Sequence, residues 1–267
     1  MKQKNVISSL SNPQIKNISL LLKKAKAREE QEVFVIEGLK MFEEARDAGL
    51  LIKSYVSESF YSNMLKDSAD YFSNLDYEIV TDSVFNEVAE TKTPQGVMAT
   101  VRAQRYALDM MMNASDACLL VLEDIRDPGN LGTIIRTAEG AGITGIVLTN
   151  SSVDIYNPKV IRSTMGSIYR VPFYYAEDLK AVLSDMKLHG ITIYAAHLNG
   201  KPYDTKGCFV EKCALLIGNE ANGLSEETSA MADTLIKIPM AGKVESLNAA
   251  VAAAILMYEA ARQRGAR

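Results

Sequence analysis

Short apolar runs alternate with helical patterns along most of the chain, and this alternation predicts an α/β protein. Four segments of the first half have the apolar character of strands: Val33–Ile36, Leu51–Val56, Tyr77–Val80 and Gly96–Val101. A helix is expected before them over Pro13–Arg28, with apolar residues on one face and lysines on the other. Asp82 is expected to cap the helix that precedes the last of these strands. We therefore predict a small α/β domain over residues 1–104.

The alternation restarts after residues 105–116, which lack strand periodicity and which we interpret as a linker. Six further strands are expected: Cys118–Leu122, Gly145–Leu148, Val171–Tyr174, Ile191–Ala195, Ala214–Ile217 and Leu235–Ile238. Several of them are continuous apolar runs, which is typical of parallel strands covered on both faces. Helical patterns separate these strands, and an alanine-rich helix over Ser246–Arg264 closes the chain. The second domain, residues 117–267, is thus predicted to contain a mostly parallel sheet.

The composition is that of an ordinary soluble globular protein, but its charge is unevenly distributed. Of the 267 residues, 48% are hydrophobic and 23% are charged, and the net charge is −4. Residues 1–28 contain six lysines, one arginine and no acidic residue, so this segment carries +7 and the rest of the chain carries −11. A basic segment of this kind favours a polyanionic partner such as RNA. A solvated basic helix explains the same charges equally well, and both interpretations stay open.

Sparse cysteines and the absence of a long apolar run narrow the classes of function. Three cysteines fit a reducing compartment better than a disulfide framework, and Cys208 and Cys213 lack the second pair that a zinc site needs. No apolar run approaches the roughly 18 residues needed to cross a bilayer. The first residues also lack the apolar core of a signal peptide. We expect a cytoplasmic protein without a metal or a membrane anchor.

Two patterns suggest other enzyme classes but stand in the wrong context. Residues 140–145 fit G-x-G-x-x-G, yet they follow a predicted helix and open a strand, whereas a dinucleotide fingerprint follows a strand and opens a helix. We interpret them as a helix C-cap and a tight turn, and a nicotinamide-dependent oxidoreductase rests on this run alone. With only His189 and His197 in the chain, a Ser-His-Asp triad has little support. His197 is expected at a strand end, as a pocket wall at most.

Polar and small residues concentrate in three loops that follow predicted strands of the second domain. In the first loop, Asn130 suits a helix N-cap. Arg136 follows among apolar residues, so it needs an anionic partner or a hydrated head group. In the second, Glu220 lies between Gly218 and Gly223 and can bind substrate or orient Arg136.

The third loop runs from Ile238 to Asn248 and leads into the last helix. Ser246 is expected to open that helix, with Asn248 in its first turn, where unpaired backbone N–H groups attract polar partners. The carboxyl ends of parallel strands lie at one edge of a sheet. The three loops together therefore predict a ligand pocket at that edge.

The same segments resemble the motifs of a known family. N-L-G-T-I-I-R-T-A at 130–138, I-G-N-E-A-N-G-L at 217–224 and I-P-M-A-G-K-V-E-S-L-N-A-A-V-A at 238–252 resemble the three motifs of the SpoU (TrmH) family. The members are RNA ribose 2′-O-methyltransferases of the knotted SPOUT class. In the first half, F-V-I-E-G-L-K-M-F-E-E-A at 34–45 and T-P-Q-G-V-M-A at 93–99 resemble the substrate-binding domain that precedes the catalytic domain in many members. The resemblance covers nearly the whole chain.

The resemblance implies a cofactor, a site and an assembly. The cofactor is S-adenosylmethionine, bound in a deep trefoil knot formed by the last strands and the C-terminal helix. By motif position, the residues implied in cofactor binding are Gly218, Ile238, Met240 and Leu247, and those implied in catalysis or substrate binding are Asn130, Arg136, Glu220, Ser246 and Asn248. Because enzymes of this class resemble one another in working as homodimers, we expect a homodimer in which the partner chain completes each site.

The implied reaction is methyl transfer from S-adenosylmethionine to a ribose 2′-hydroxyl of structured RNA. Ribosomal RNA is favoured because the first domain resembles those of ribosomal-RNA members. In the family, the residue matching Arg136 is proposed as the general base, but a guanidinium keeps its proton at neutral pH, so we expect electrostatic stabilisation instead. A tRNA 2′-O-methyltransferase, a base methyltransferase of the knotted class and a non-catalytic RNA-binding protein with a relict cofactor pocket stay open as alternatives.

Overall fold

The computed structural model describes residues 6–68 and 70–265, and the chain divides into two compact units. The first unit comprises residues 1–104 together with 156–169, and the second comprises the remaining residues. The sequence pattern placed 156–169 in the second domain. The structure joins this segment to the first unit.

One aromatic contact and three hydrogen bonds explain why this segment belongs to the first unit. The ring of Tyr156 stacks on Phe34 with the ring centroids 4.4 Å apart. The Tyr156 hydroxyl accepts a hydrogen bond from the backbone N–H of Gln104 and donates one to its carbonyl oxygen. Tyr169 donates from its hydroxyl to the carbonyl oxygen of Met41. The segment is therefore held at both of its ends.

The first unit is built on a four-stranded mixed sheet. Its strands are β1 (Val33–Glu37), β2 (Leu51–Ser57), β3 (Tyr77–Val80) and β4 (Val97–Arg102), in the spatial order β1-β4-β2-β3. β2 and β3 are parallel, and β4 is antiparallel to both β1 and β2. Its helices are α1 (Pro13–Lys23), α2 (Ala25–Gln31), α3 (Leu39–Asp47), α4 (Glu58–Asp67), α5 (Asp82–Val88) and α8 (Pro158–Thr164). All four predicted strands are present.

Two details of the first unit differ from the sequence pattern. The predicted basic helix is broken at Lys24, which has an extended backbone between α1 and α2. Arg28 is buried and its guanidinium donates a hydrogen bond to the carbonyl oxygen of Leu21. This carbonyl group lies in the last turn of α1, where it has no partner within the helix. α5 is capped by Thr81, whose hydroxyl accepts from a backbone N–H, and Asp82 is already the first helical residue.

The second unit contains a six-stranded sheet in which every neighbouring pair is parallel. Its strands are β5 (Cys118–Leu122), β6 (Gly145–Thr149), β7 (Phe173–Ala176), β8 (Thr192–Pro202), β9 (Cys213–Ile217) and β10 (Thr234–Lys237), in the spatial order β10-β8-β9-β5-β6-β7. Every residue of β5 and β9 is buried, as expected for strands covered on both faces. The predicted α/β class with a mostly parallel sheet is confirmed.

The helices of this unit are α6 (Leu108–Met112), α7 (Pro128–Gly140), α9 (Leu179–Leu188), α10 (Glu226–Ala230) and α11 (Ala249–Gln263). The segment interpreted as a linker contains α6, which buries Met111 and Met112 in the core of the unit. β8 runs past its predicted end, and a Cβ at Gly200 would lie 2.5 Å from the backbone of Ile236. The glycine thus permits the close pairing of β8 with β10.

The strand order places a topological switch between β5 and β9. From β5 the chain proceeds through β6 to β7 at one edge, whereas β8, β9 and β10 lie on the other side of β5. In open α/β sheets, ligands bind outside the carboxyl ends of strands at such a point. The loops that follow β5 and β9 are two of the three loops that the sequence marked as polar.

Candidate functional site

The loop after β5 turns at Asp124, which has a left-handed backbone with φ of +56°. Two neighbouring loops hold this conformation, which costs free energy in a residue other than glycine. The Asp124 N–H donates to the Thr149 hydroxyl at 2.9 Å, and the Asp124 carbonyl oxygen accepts from the Asn219 amide nitrogen at 2.8 Å. The loops after β5, β6 and β9 are therefore joined by hydrogen bonds.

α7 begins earlier than predicted, with a different capping residue. Asp127 is the N-cap, because its carboxylate accepts from the backbone N–H of Asn130 at 2.8 Å, and Pro128 occupies the first turn. The prediction that Asn130 caps the helix is wrong. The Asp-Pro pair was the sequence signal for the true start. Asn130 lies in the first turn, where its side chain is available for tertiary contacts.

Side chains from all three predicted loops meet in one hydrogen-bonded set, Asn130, Glu220 and Asn248. The Asn248 amide nitrogen donates to the Asn130 amide oxygen at 2.9 Å, and the Asn130 amide nitrogen donates to the Glu220 carboxylate at 3.0 Å. Glu220 also accepts from the backbone N–H groups of Arg126 and Asp127, at 3.4 and 3.3 Å. The structure thus brings together three of the five residues implied in catalysis.

The environment of Glu220 keeps its carboxylate ionised. Burial raises the pKa of Glu220, but the hydrogen bonds from the Asn130 side chain and from backbone N–H groups outweigh burial, and the net pKa is lowered. An ionised carboxylate accepts stronger hydrogen bonds than a neutral one. The charge on Glu220 therefore fixes the amide of Asn130.

Glu220→Gln is expected to lower the free energy of unfolding at neutral pH, by less than about 1 kcal/mol because the side chain is exposed. Since the pKa of folded Glu220 is lowered, its contribution is present above the unfolded pKa and is lost as pH falls through the folded pKa. Urea unfolding at neutral and acidic pH should show the difference from wild type shrinking in acid. Glu177→Gln, at an exposed carboxylate of the second unit, is the control. A difference that grows in acid would contradict this assignment.

Glu123 and Asn219 organise the site, although sequence reasoning did not single them out. The Glu123 carboxylate accepts from the backbone N–H and the hydroxyl of Ser225, both at 2.8 Å, and from the hydroxyl of Thr228 at 2.7 Å. It thereby fixes the start of α10. The Asn219 amide oxygen accepts from two successive backbone N–H groups, and the backbone of Asn219 pairs with that of Gly223. An Asn at the start of a loop ending in Asn-Gly was the available signal.

The loop after β9 closes tightly over Gly218. A Cβ at this position would lie 2.1 Å from the carbonyl carbon of Gly223 and 2.2 Å from the backbone nitrogen of Leu224. Only glycine fits there without moving the backbone. The other residues implied in cofactor binding follow β10 or precede α11 and are half-buried: Ile238, Met240 and Leu247.

The first turn of α11 differs from the prediction. Asn248 is the N-cap, accepting from the backbone N–H groups of Ala250 and Val251 at 2.9 and 3.3 Å, and the helix begins at Ala249. The expectation that Ser246 opens the helix is therefore wrong. Ser246 is exposed in the loop before the cap. Asn248 uses its oxygen for the helix and its nitrogen for Asn130, so one amide ties α11 to α7.

Arg136 does not join this set. It is exposed on α7, and six residues from Asn130 correspond to about 120° around the helix axis. Glu220 accepts hydrogen bonds from Asn130 and from backbone groups, so of its two expected roles the orientation of Arg136 is wrong. The hydrated head group, which the sequence left as one of two options for Arg136, is the arrangement in the structure.

The remaining candidates have structural roles. α7 ends at Gly140, and Gly142 turns with φ of +71°, as expected for a C-cap and a tight turn. His197 lies inside β8, where its ring nitrogen accepts from the Asn199 N–H, so its predicted place at a strand end is wrong. Within residues 6–68 and 70–265, no cluster of His, Cys, Asp and Glu is arranged to hold a metal ion, and no helix has the length and apolarity of a membrane span.

Comparison with known families matches both parts of the chain. Residues 117–258 match the SpoU rRNA Methylase family, and residues 12–99 match the MRM3-like substrate binding domain. A Bacillus subtilis relative named 23S rRNA (guanosine(2553)-2′-O)-methyltransferase RlmP is 33% identical, with 97% of this chain and 98% of the relative aligned.

Solved structures agree with these matches. An AdoMet-bound rRNA methyltransferase from Sinorhizobium meliloti has a TM-score of 0.85 and 31% identity, with 97% of each chain covered. The SpoU methyltransferase AviRb from Streptomyces viridochromogenes, in complex with AdoMet, has a TM-score of 0.84 and 26% identity over 95% of this chain and 98% of its own. The sequence matches and the hydrogen-bonded meeting of the three motifs lead to one assignment: this chain is a member of the SpoU rRNA methylase family.

Proposed function

We propose that this chain transfers a methyl group from S-adenosylmethionine to a ribose 2′-hydroxyl of ribosomal RNA. The observation that carries the proposal is the hydrogen-bonded set of Asn130, Glu220 and Asn248, which joins the three family motifs at the carboxyl edge of the parallel sheet. The relative named as a 23S rRNA 2′-O-methyltransferase and the AdoMet-bound structures support the substrate and the cofactor.

The residues at this edge of the sheet fit S-adenosylmethionine. The loop that folds over Gly218 brings backbone groups close together where a side chain would obstruct them. Ile238, Met240 and Leu247 are half-buried, so each retains free apolar surface for the adenosine and methionine parts of the cofactor. We assign cofactor binding to these four residues. When bound, S-adenosylmethionine supplies an electrophilic methyl group on a sulfonium.

The polar residues of the site position the ribose and stabilise charge. Asn130, Glu220 and Asn248 hold one another in a fixed arrangement, and Ser246 lies exposed beside Asn248 in the sequence. Holding two reactants in the reactive geometry lowers the activation free energy by up to about 7–11 kcal/mol in favourable cases. We assign to Arg136 the stabilisation of the developing alkoxide and the binding of an RNA phosphate.

A homodimer brings Arg136 to the site. Arg136 is exposed on α7, and α11, which packs against α7, exposes Val251 and Tyr258 at 48% and 55% of their surface. These two residues are seven apart and lie on one face of α11. Pairing of two chains through α7 and α11 covers this apolar face and places Arg136 of each chain at the interface. Each site is then completed by Arg136 of the partner.

Val251→Lys is expected to convert the dimer to a monomer, because it introduces a charge into the apolar interface face of α11. Size-exclusion chromatography with light scattering measures the mass, and methyl transfer should fall with dimer content. Leu188→Lys, at the 85% exposed end of α9, makes the same chemical change away from this face and should leave the mass unchanged. A Val251→Lys protein that stays dimeric would contradict the proposed interface.

The chain path near the site supports the trefoil knot. β10 is an edge strand beside β8, yet α11, only eleven residues further, packs back against α7 and β9. The chain must therefore cross the carboxyl edge of the sheet between residues 238 and 248. We propose that this crossing forms the knot expected of the family.

The three buried free cysteines fit a reducing compartment, which supports a cytoplasmic location.

The first unit is assigned to RNA binding. It matches the MRM3-like substrate binding domain, and the exposed lysines of α1 and α2 offer cations to phosphates.

To identify the RNA, the protein is incubated with methyl-labelled S-adenosylmethionine and total RNA from a strain that lacks the gene, and the RNA is then separated by size. Label in ribosomal RNA is expected. Label confined to transfer RNA would contradict ribosomal RNA as the substrate. Absence of both label and cofactor binding would favour a non-catalytic RNA-binding protein with a relict cofactor pocket.

A further inference from the structure

The first unit contains a polar cavity of about 370 Å³ that the proposed methyl-transfer site does not use. It lies at the end of the sheet where the parallel strands β2 and β3 finish and the antiparallel strand β4 begins. The segment 93–99, one of the two that resemble the family's substrate-binding domain, contributes Pro94, Gln95 and Gly96 to its wall. The volume lies at the small end of the roughly 300–1,000 Å³ typical of ligand pockets.

Gly96 keeps the cavity open. It is buried with φ of +84°, and a Cβ there would lie 2.6 Å from the Ser57 hydroxyl oxygen and 2.7 Å from the Cβ of Phe60. Any other residue would push Phe60 and Ser57 out of place. Phe60 is half-buried, lines the cavity and packs edge-on against Phe72. The surface that the lining residues expose in the cavity is mostly polar.

Asp82 supplies an anionic acceptor. Its carboxylate accepts from the Ser59 hydroxyl at 2.6 Å and from the Ser59 N–H at 3.2 Å, which holds it at the cavity wall. Hydrogen bonding from Ser59 lowers the pKa of Asp82, so the group is charged at neutral pH. The lining residues include no lysine or arginine. A phosphate would meet repulsion here, whereas a neutral ligand with N–H donors would be attracted.

Three amide side chains complete the polar wall. The Gln95 amide oxygen accepts from the Leu39 N–H at 2.8 Å, and this bond fixes the side chain while its NH₂ group stays available. Asn63 and Asn86 are exposed, and Asn86 makes no side-chain hydrogen bond within the part of the chain that the structure describes. Amides pair with the donor and acceptor edges of nucleobases. The cavity therefore combines amides, hydroxyls and one carboxylate.

Resting on the proposed RNA function, we propose that this cavity binds an unpaired nucleobase of the substrate RNA that carries an exocyclic amine. Unpaired bases expose the donors and acceptors of their edges, which proteins read by hydrogen bonds. The amine donates to Asp82, and the neighbouring ring acceptor accepts from the Asn86 amide. Uracil presents a carbonyl oxygen in place of the amine of cytosine, so the Asp82 carboxylate disfavours it.

The test uses the full-length protein and two labelled single-stranded probes of equal length, oligocytidine and oligouridine. Fluorescence anisotropy should show at least about fivefold tighter binding of oligocytidine by wild type. Asn86→Ala and Asp82→Asn should each bring oligocytidine affinity down to the oligouridine level. Glu87→Gln, at an exposed carboxylate of the same helix α5 that does not line the cavity, should retain the preference.

Equal affinity of wild type for the two probes, or a preference that survives Asn86→Ala, would overturn the inference. Asn86→Ala removes no hydrogen bond of the described structure, so it keeps the test valid if Asp82→Asn does not fold. Methyl transfer to ribosomal RNA is measured on the same preparations. Transfer without a cytidine preference overturns only the base pocket, whereas absence of transfer and of binding to either probe overturns the proposed function together with it.

Discussion

Arg136→Ala is expected to lower kcat by about 10²–10³-fold, which corresponds to about 2.7–4 kcal/mol of lost transition-state stabilisation. Arg136 is exposed on α7 and separate from the Asn130, Glu220 and Asn248 set. Its removal should therefore leave cofactor affinity unchanged. Single-turnover methyl transfer measures the rate, and calorimetry measures the affinity for S-adenosylmethionine. Wild-type kcat in Arg136→Ala would contradict the assigned role.

Arg136→Lys separates the two chemical roles considered for this residue. Lysine keeps a positive charge, so partial activity with the wild-type pH–rate profile is expected of an electrostatic stabiliser. A profile displaced by several pH units would instead indicate that the side chain acts as the general base.

Mixing two inactive variants tests whether Arg136 acts across the proposed dimer. A mixed dimer of Arg136→Ala and Asn130→Ala contains one site with both residues intact if Arg136 comes from the partner. Random mixing should then restore about one quarter of wild-type activity. If Arg136 acted within its own chain, no site would be intact and the mixture would stay inactive.

Gly218→Ala is expected to reduce affinity for S-adenosylmethionine at least about tenfold and to lower the free energy of unfolding by about 1–3 kcal/mol. The new Cβ would meet the backbone of Gly223 and Leu224 at 2.1 and 2.2 Å, so the loop after β9 must move. A backbone clash of this kind cannot be relieved by rotating a side chain.

Gly242→Ala is the matched control for this substitution. A Cβ at Gly242 meets no heavy atom within 4 Å, although the residue lies in the loop between β10 and α11. Calorimetry measures the affinity of both variants for S-adenosylmethionine, and urea unfolding measures their free energy of unfolding. The two variants carry the same added methyl group, one in a tight loop and the other in an open loop. Wild-type cofactor affinity in Gly218→Ala would contradict the assignment of this loop to the cofactor.

The sequence was sufficient to predict where the strands lie, except for the end of β8, because buried parallel strands are continuous apolar runs bounded by polar loops. β5 and β9 are such runs, and all of their residues are buried. Helix starts were predicted less well. At Asp127 and Asn248 the capping residue is selected by which side-chain oxygen reaches a free backbone N–H, and neighbouring polar residues satisfy the same pattern.

Sequence patterns did not predict which residues of the site contact one another. Asn130 and Glu220 are 90 residues apart, and the only side-chain partner that the sequence suggested for this carboxylate was Arg136. The membership of residues 156–169 in the first unit depends on the aromatic contact between Tyr156 and Phe34. Nothing in the periodicity of either segment indicates that contact.

The most direct test of the account is the chemical identity of the methylated nucleoside. Ribosomal RNA from a strain lacking the gene is incubated with the purified protein and methyl-labelled S-adenosylmethionine, digested to nucleosides and separated by chromatography. Label in a 2′-O-methylnucleoside is expected, and the initial rate of labelling by the Arg136→Ala protein should be about 10²–10³-fold lower. Label in a base-methylated nucleoside would contradict the ribose assignment, and unlabelled RNA from a protein that binds both the cofactor and the RNA would contradict catalysis.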